Sequence, residues 1–133
     1  EMALAAGATF VAQSFSFNLK PLTTVIEEGI KHKGFSFINI FSPCVTFNKF
    51  NTYEWFKENI VDLDAIPDYD PTDRVAAMNK IMETNSMLTG IIYRNSEKPS
   101  YEDLAPGFKK EALAKQNIEI TEEQFNQLLA EFK

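Results

Sequence analysis

The sequence of 133 residues is short of several residue types that build particular kinds of site. It holds one cysteine, which excludes an internal disulfide framework, an all-cysteine metal site built by this chain alone and a Cys-x-x-Cys redox pair. No stretch approaches the ~20 consecutive apolar residues that cross a bilayer. No basic segment precedes an apolar core, as it would in a signal peptide. We therefore expect a cytoplasmic protein that does not enter a membrane.

Basic residues are also few, and they are scattered. There are 13 Lys and Arg against 19 Asp and Glu, which gives a net charge of -6 and a pI near 4.8. A nucleic-acid surface needs clustered Lys and Arg, so we expect no nucleic-acid partner. The P-loop, G-x-G-x-x-G, H-E-x-x-H and G-x-S-x-G motifs are absent. The residues alone therefore show no complete active site, and we assign no catalytic residue and no cofactor-binding motif.

The most informative stretch that is present is an apolar run at residues 35–42, FSFINIFS. Such a run, rich in aromatic and β-branched residues, is typical of a central strand that is buried on both faces. Pro43 cannot donate to a strand ladder and should end the strand. Cys44 follows at once, so the thiol is expected just past the carboxyl end of a strand. That rim is where open α/β sheets usually bind ligands.

The preceding residues predict a β-α-β unit. Residues 8–15 resemble a short buried strand, and Pro21 is placed to lie in the first turn of a helix. Apolar residues then recur at helical spacing, and Gly34 is predicted to cap the helix in the left-handed conformation. These apolar residues are Leu22, Val25, Ile26, Gly29 and Ile30. The two strands of such a unit should be parallel.

The rest of the chain predicts mostly helices, each with a local start signal. Residues 2–7 resemble the end of a helix with a glycine cap, which we take as a sign that the chain is a piece of a longer protein. The other predicted elements are a helix capped at Asn51 and ending before Pro67, a helix from Asp70-Pro71 to about Thr84, a strand or hairpin arm at 88–93, a loop at 99–108, and a last helix opened by a capping box at Thr121.

The residues that could carry chemistry each have a simpler interpretation. By composition alone, Cys44 is a buried small apolar residue, and His32 caps or flanks a helix end. The acidic run could suggest Ca²⁺, but it lacks the glycine and the final Glu of an EF-hand loop, so helix capping is favoured. An aromatic group is interpreted as core or subunit interface. The acidic run is Asp62, Asp64, Asp68, Asp70 and Asp73, and the aromatic group is Phe47, Phe50, Tyr53, Trp55 and Phe56.

Residues 32–48, HKGFSFINIFSPCVTFN, resemble the β subunits of the 2-oxoacid:ferredoxin oxidoreductases. Three further segments fit in the same order: residues 3–12, residues 70–77, and residues 88–93 with the Pro-Gly-Phe that ends at Phe108. The resemblance covers most of the chain and weakens after Phe108. It implies an α/β fold in which residues 1–44 are the last β-α-β unit of a thiamine diphosphate-binding domain. Residues 45–133 would form a mostly helical C-terminal extension.

The resemblance also implies a set of cofactors. The family's β subunit holds thiamine diphosphate, Mg²⁺ and a [4Fe–4S] cluster. Its Gly-Asp-Gly…Asn motif and three of its cluster cysteines precede the region matched here, and this sequence has no such motif. The fourth cluster cysteine lies in a Ser-Pro-Cys turn and corresponds to Cys44, which becomes the predicted metal ligand. One thiolate cannot hold a cluster, so the isolated chain is expected to be metal-free and inactive.

The implied reaction is oxidative decarboxylation of pyruvate or 2-oxoglutarate to an acyl-CoA, with electrons passed through the cluster to ferredoxin. The implied partners are the α subunit, ferredoxin, coenzyme A and the 2-oxoacid. A non-catalytic α/β module that binds a protein partner through its aromatic surface is the alternative. Uncovered sheet edges and apolar faces further predict that the isolated chain self-associates.

Overall fold

Strand β1 (Phe10–Phe15) lies in the middle of a mixed sheet in the computed structural model, and all six of its residues are buried. The structure describes residues 1–105, 113–115, 117 and 119–132, and the chain divides into two compact units, Glu1–Tyr101 and Glu102–Lys133. The other elements are α1 (Met2–Ala5), α2 (Leu19–Lys31), β2 (Ser36–Phe41), α3 (Tyr53–Asn59), β3 (Val61–Asp62), α4 (Arg74–Glu83), β4 (Leu88–Arg94), α5 (Tyr101–Leu104) and α6 (Glu122–Ala130), with 3-10 turns at Leu63–Ala65 and Leu113–Lys115. The predicted α/β class is confirmed.

Within the described residues the strand order is β2-β1-β4-β3. β1 and β2 are parallel and joined by α2, as the sequence predicts, with Phe10 opposite Ser36 and Phe15 opposite Phe41. β4 is antiparallel to β1 on its other side, and β3 is parallel to β4. The predicted strand at 88–93 is therefore β4, and it supplies the second neighbour of β1.

The prediction that the strand after Gly34 is central and buried on both faces is wrong. β2 is the edge strand of the described sheet, and its residues range from half-buried to exposed. Phe37 is 44% exposed and Ile40 is 40% exposed. An apolar run shows that a strand has two apolar faces, but other parts of the chain decide whether those faces are covered. Here β4 pairs with the edge of β1 that faces away from β2, so β1 is central and β2 is at the edge of the sheet.

Helices cover both faces of β1. Because successive side chains of a strand point to opposite faces, neighbouring residues of β1 join different core clusters. Val11 joins a core cluster to which α4 contributes Ala77 and Ile81. Phe10 and Ala12 join a second cluster with Val25 of α2. α2 approaches the sheet closely at Gly29, where an added Cβ would lie 2.7 Å from Ile38 Cδ1. The core therefore lies on both sides of β1, and the carboxyl ends of β1 and β2 meet at one rim.

Several predicted helix ends shift by a few residues. α3 is capped by Thr52 and not by Asn51, and it ends at Asn59, well before Pro67. α2 ends at Lys31 with an extended cap residue, and Gly34, at φ 144°, lies beyond it and is not the predicted left-handed cap. An added Cβ at Gly34 would lie 2.4 Å from Thr9 Oγ1, so glycine is required by the close approach to Thr9, the residue before β1.

The predicted glycine cap near the start of the chain is confirmed. Gly7 has φ 89°, its N–H donates to Leu4 O at 3.1 Å, and Ala8 N–H donates to Ala3 O at 3.0 Å. These two bonds form a Schellman motif, which satisfies the last carbonyls of α1.

In the second unit the predicted capping box is confirmed. Gln124 N–H donates to Thr121 Oγ1 at 3.2 Å, and Thr121 N–H donates to Gln124 Oε1 at 2.9 Å. Part of the predicted loop at 99–108 is the short helix α5, and its Pro-Gly-Phe lies outside the described residues. No helix in the described part of the chain is long and apolar enough to cross a membrane. The expected division between residues 44 and 45 stays a prediction.

Candidate functional site

Cys44 lies three residues after the end of β2, at the rim where β1 and β2 both end. Ser16 N–H donates to Phe41 O at 2.9 Å, which extends the pairing of the two strands to this rim. The thiol is exposed. The interpretation of Cys44 as a buried small apolar residue is therefore wrong. The thiol is open to a metal or to another polypeptide.

The backbone that follows Cys44 lowers the pKa of its thiol. Hydrogen bonds from the N–H groups of Phe47 and Thr46 lower the pKa of the thiol most, and Asn48 adds a smaller effect in the same direction, partly opposed by burial. Asn48 N–H also donates to Cys44 O at 3.0 Å, which closes one helical turn that begins at the cysteine. Oriented amide groups of this kind form a concavity that favours negative charge. The site therefore stabilises a thiolate.

The next part of the loop is held by the Asn48 side chain. Its Oδ1 accepts from Phe50 N–H at 3.1 Å and from Asn51 N–H at 3.0 Å, and its Nδ2 donates to Asn51 O at 2.9 Å. Thr52 comes next and caps α3 by accepting from Trp55 N–H at 3.4 Å. An unbroken series of local hydrogen bonds thus connects the cysteine turn to a helix.

The aromatic group that the sequence singles out divides into two parts. Tyr53 and Phe56 pack against Phe15 at the end of β1, with the Phe56 ring 5.3 Å from the Phe15 ring. Phe47 and Phe50, which flank Asn48, are 85% and 88% exposed. Tyr53 and Phe56 are half-buried and anchor α3 against β1, whereas Phe47 and Phe50 present exposed apolar surface in the loop after Cys44.

A match to known proteins covers the cysteine turn and the segment after it. Residues 44–110 match the family model for the C-terminal region of the pyruvate ferredoxin oxidoreductase beta subunit. The chain belongs to this family of 2-oxoacid:ferredoxin oxidoreductase β subunits. A 2-oxoacid:ferredoxin oxidoreductase subunit beta from Sulfolobus sp is 36% identical over 132 residues, which is 89% of this chain and 43% of the relative. The chain thus spans less than half the length of that relative.

Two further members of the oxidoreductase family also match this chain. The 2-oxoglutarate synthase subunit KorB of Methanocaldococcus jannaschii is 37% identical over 76 residues, covering 51% of this chain and 28% of the relative. A solved 2-oxoglutarate:ferredoxin oxidoreductase from Magnetococcus marinus, with 2-oxoglutarate, coenzyme A and succinyl-CoA bound, matches with a TM-score of 0.75 and 28% identity over 96% of this chain and 42% of that chain. The family suggested by residues 32–48 is confirmed.

The Cys44 thiol of this β-subunit chain is exposed and has a lowered pKa, and both properties fit a ligand of an iron–sulfur cluster. Cluster iron is bound by thiolate sulfur, and N–H groups on that sulfur are the usual protein contribution to its electronic properties. The described residues hold no group of three or more His, Cys, Asp or Glu side chains placed to bind a metal. Among the described residues, Cys44 is therefore a single candidate ligand.

The other predicted polar residues have structural roles. His32 is the cap residue of α2, and its Nε2 lies 2.9 Å from Thr9 Oγ1. Burial lowers the pKa of His32, and the charge of Arg94 lowers it further. In the acidic run, Asp73 caps α4 and Asp70 binds Thr72 within its own turn. Helix capping, the favoured interpretation of the acidic run, agrees with the Asp73 contacts.

A cavity of about 460 Å³ lies at the same rim of the sheet, between the end of β1 and the first turn of α2. Lysines and aspartates line it from separate parts of the chain, so no sequence motif could indicate it. They are Lys20, Lys57, Asp62 and Asp64. Cys44 does not line this cavity. The role of the Asn48 side chain in the loop was not predicted from the sequence either. Its hydrogen bonds to Phe50 and Asn51 depend on how the loop folds.

Proposed function

We propose that Cys44 supplies one of the four thiolates of a [4Fe–4S] cluster in the β subunit of a 2-oxoacid:ferredoxin oxidoreductase. The observation that supports this most directly is the exposed thiol of Cys44 just past the end of β2, at the rim of the sheet. Because the sequence has one cysteine, the other three ligands have to come from other polypeptide. When bound, the cluster accepts and passes on single electrons.

The reaction that this assignment serves is oxidative decarboxylation of a 2-oxoacid, 2-oxoglutarate or pyruvate, to an acyl-CoA, with ferredoxin as the electron acceptor. The activities after which the relatives are named, and the ligands of the Magnetococcus marinus enzyme, support this choice. The proposed partners are the α subunit and ferredoxin, with coenzyme A and the 2-oxoacid as substrates. We place the enzyme in the cytoplasm.

Thiamine diphosphate and Mg²⁺ do not fit the residues of this chain. The sequence lacks the Gly-Asp-Gly…Asn motif that the family resemblance calls for, and the described residues show no carboxylate cluster for a metal. These two cofactors are therefore assigned to the rest of the subunit. This chain contributes the cysteine turn and the elements that hold it, and by itself it is inactive and metal-free.

Replacing Cys44 in the intact subunit tests the proposal. We expect Cys44→Ala to lose most of the cluster iron, whereas Ser42→Ala, an exposed residue in the same Ser-Pro-Cys turn, keeps about four iron atoms per subunit. Iron and sulfide analysis with the electron paramagnetic resonance (EPR) spectrum of the reduced protein measures both. Full cluster content in Cys44→Ala would reject the assignment and favour the alternative of a non-catalytic module that docks through Phe47 and Phe50.

We also propose that the isolated chain self-associates. β2 has an unpaired edge in the described sheet, and three large apolar side chains on or next to it are exposed. They are Phe35, Phe37 and Ile40. An open edge with apolar side chains is a template for pairing with another strand. The edge of β2 is therefore the contact that we expect between copies of the chain.

A further inference from the structure

Four large apolar side chains lie along one face of α6 and the turn after it, and all four are exposed, by 46% to 87%. They are Phe125, Leu128, Leu129 and Phe132. Their spacing of i, i+3, i+4 and i+7 brings them side by side on a helix. A helix with such a face typically binds in an apolar groove of another polypeptide.

The first compact unit of the chain has an apolar groove of about 510 Å³ between α1 and the start of β2. Alanines and a glycine contribute small side chains near α1, which leaves the space open. Met2, Phe35 and Phe37 line the groove with large apolar side chains that are exposed. No charged residue lines it. The groove therefore has the chemistry that the face of α6 requires.

The charge of α6 argues against pairing between two copies of this helix. Residues 119–133 hold four glutamates against one lysine. Two copies of α6 packed face to face would bring these like charges together, which is unfavourable. The glutamates are Glu119, Glu122, Glu123 and Glu131. A receiving surface with cations at its edge suits the helix better.

The groove has such cations at its α1 end. Lys98 Nζ donates to the carbonyl oxygen of Gly7, a groove residue, at 3.2 Å. Arg74 Nη2 donates to Leu4 O at 2.8 Å on the same short helix. Both contacts are to carbonyl oxygens, so they do not neutralise the two positive charges. Glu1, which precedes Met2, is the acidic residue next to the groove in sequence.

We propose that the groove binds the apolar face of α6 from a second copy of this chain, with the glutamates of that helix near Lys98 and Arg74. The opposite charges at the edge of the contact select this partner surface. The contact is heterologous, because a helix of one copy meets a groove of the other. It rests on the proposed self-association of the chain, adds a second contact to the β2 edge, and does not depend on the role of Cys44.

Complementary variants of the full chain test this contact by sedimentation. Leu128→Glu places a charge on the apolar face of α6, and Ala6→Glu places one in the groove, so each should lower the association constant about tenfold or more. Gln127→Glu adds the same charge at an exposed position on the polar face of α6 and should leave association nearly unchanged. A reducing agent is present throughout, because the exposed Cys44 thiol can form a disulfide between copies.

An equimolar mixture of the two weakened variants is the decisive sample. Leu128→Glu keeps an intact groove and Ala6→Glu keeps an intact helix face, so the mixture should associate more strongly than either variant alone at the same total concentration. If Leu128→Glu weakens association and the mixture does not restore it, the contact is between two copies of α6 and the proposal is overturned. Unchanged association in both variants would assign self-association to the β2 edge alone and would also overturn it.

A second measurement uses the unmodified chain, so it does not require the variants to fold. Raising the concentration should shift the amide NMR signals of residues 2–8 together with those of residues 125–132. Shifts confined to residues 36–41, or a monomer at every concentration, would overturn the proposal. The iron content of Cys44→Ala in the intact subunit is a separate readout, so failure of the cluster assignment and failure of this contact are distinguishable.

Discussion

At the scale of single residues, the sequence predicted where Cys44 lies in the fold but not the surroundings of its thiol. Pro43 ends a strand for a local reason, because it has no N–H to donate, so Cys44 could be placed past the strand end from sequence. The effect of the Thr46 and Phe47 N–H groups, which lower the pKa of the thiol, could not be predicted. Their effect depends on the backbone of the whole turn, which closes through the hydrogen bond from Asn48 N–H to Cys44 O.

The lowered pKa of Cys44 gives a prediction about its reactivity with pH. Alkylation follows the thiolate, so a pKa below the ordinary thiol value moves the rise in alkylation rate to lower pH. We expect the midpoint of the rate profile with iodoacetamide to lie at lower pH in the folded chain than in the same chain unfolded in guanidinium chloride. Cys44 is the one cysteine of the sequence, so all labelling reports on it. Equal midpoints, or a higher one in the folded chain, would contradict the prediction.

At the scale of elements, start signals located the helices but not always the capping residue. Asp70-Pro71 has the typical sequence of a helix start, yet α4 begins after Asp73. Asp70 instead accepts from the N–H and the hydroxyl of Thr72, both at 2.8 Å, in a separate turn. Asp73 accepts from Val75 N–H at 2.8 Å and from Ala76 N–H at 3.0 Å. Two aspartates three residues apart are equally good caps in sequence, and in the structure Asp73 is the one that caps α4.

The choice of cap is testable by stability. Asp73→Ala should lower the free energy of unfolding by about 1 kcal/mol, because two N–H groups in the first turn of α4 lose their acceptor. Asp70→Ala should have a smaller effect. Urea denaturation of the chain followed by circular dichroism measures both, and equal m-values would show that the comparison is valid. A larger loss for Asp70→Ala would mean that Asp70 is the effective cap.

At the scale of the whole molecule, the long-range antiparallel pairing of β4 with β1 decides which strand is inside. The sequence predicts two parallel strands in a β-α-β unit and a separate strand or hairpin arm at 88–93, whereas the described residues form one sheet of four strands. Gln13 strengthens this pairing, since its Nε2 donates to Ser86 O and Leu88 O, both at 2.7 Å, and its Oε1 accepts from Asn39 at 2.8 Å. β1 is therefore covered on both sides, and β2 retains an open edge.

This arrangement predicts where the isolated chain self-associates. We expect the sedimentation coefficient of the chain to rise with concentration. Phe37→Lys on β2 should keep it closer to the monomer value, because a charge on an edge strand opposes strand pairing. Val75→Lys, at an exposed apolar position on α4, is the control and should behave like the unmodified chain. A monomer at every concentration, or equal effects of the two variants, would contradict association through β2.

The sequence by itself determined the α/β class, the β-α-β unit, the capping motifs at Gly7 and Thr121, and the position of Cys44 after a strand end. All of these follow from patterns within a few residues, where backbone geometry and side-chain hydrogen bonds act locally. The tertiary structure decided which strand is central, which aspartate caps α4, and that the Cys44 thiol is exposed in a turn whose amides lower its pKa. Those outcomes depend on pairing between segments far apart in sequence and on the fold of a complete loop, and hydrophobic pattern carries no information about either.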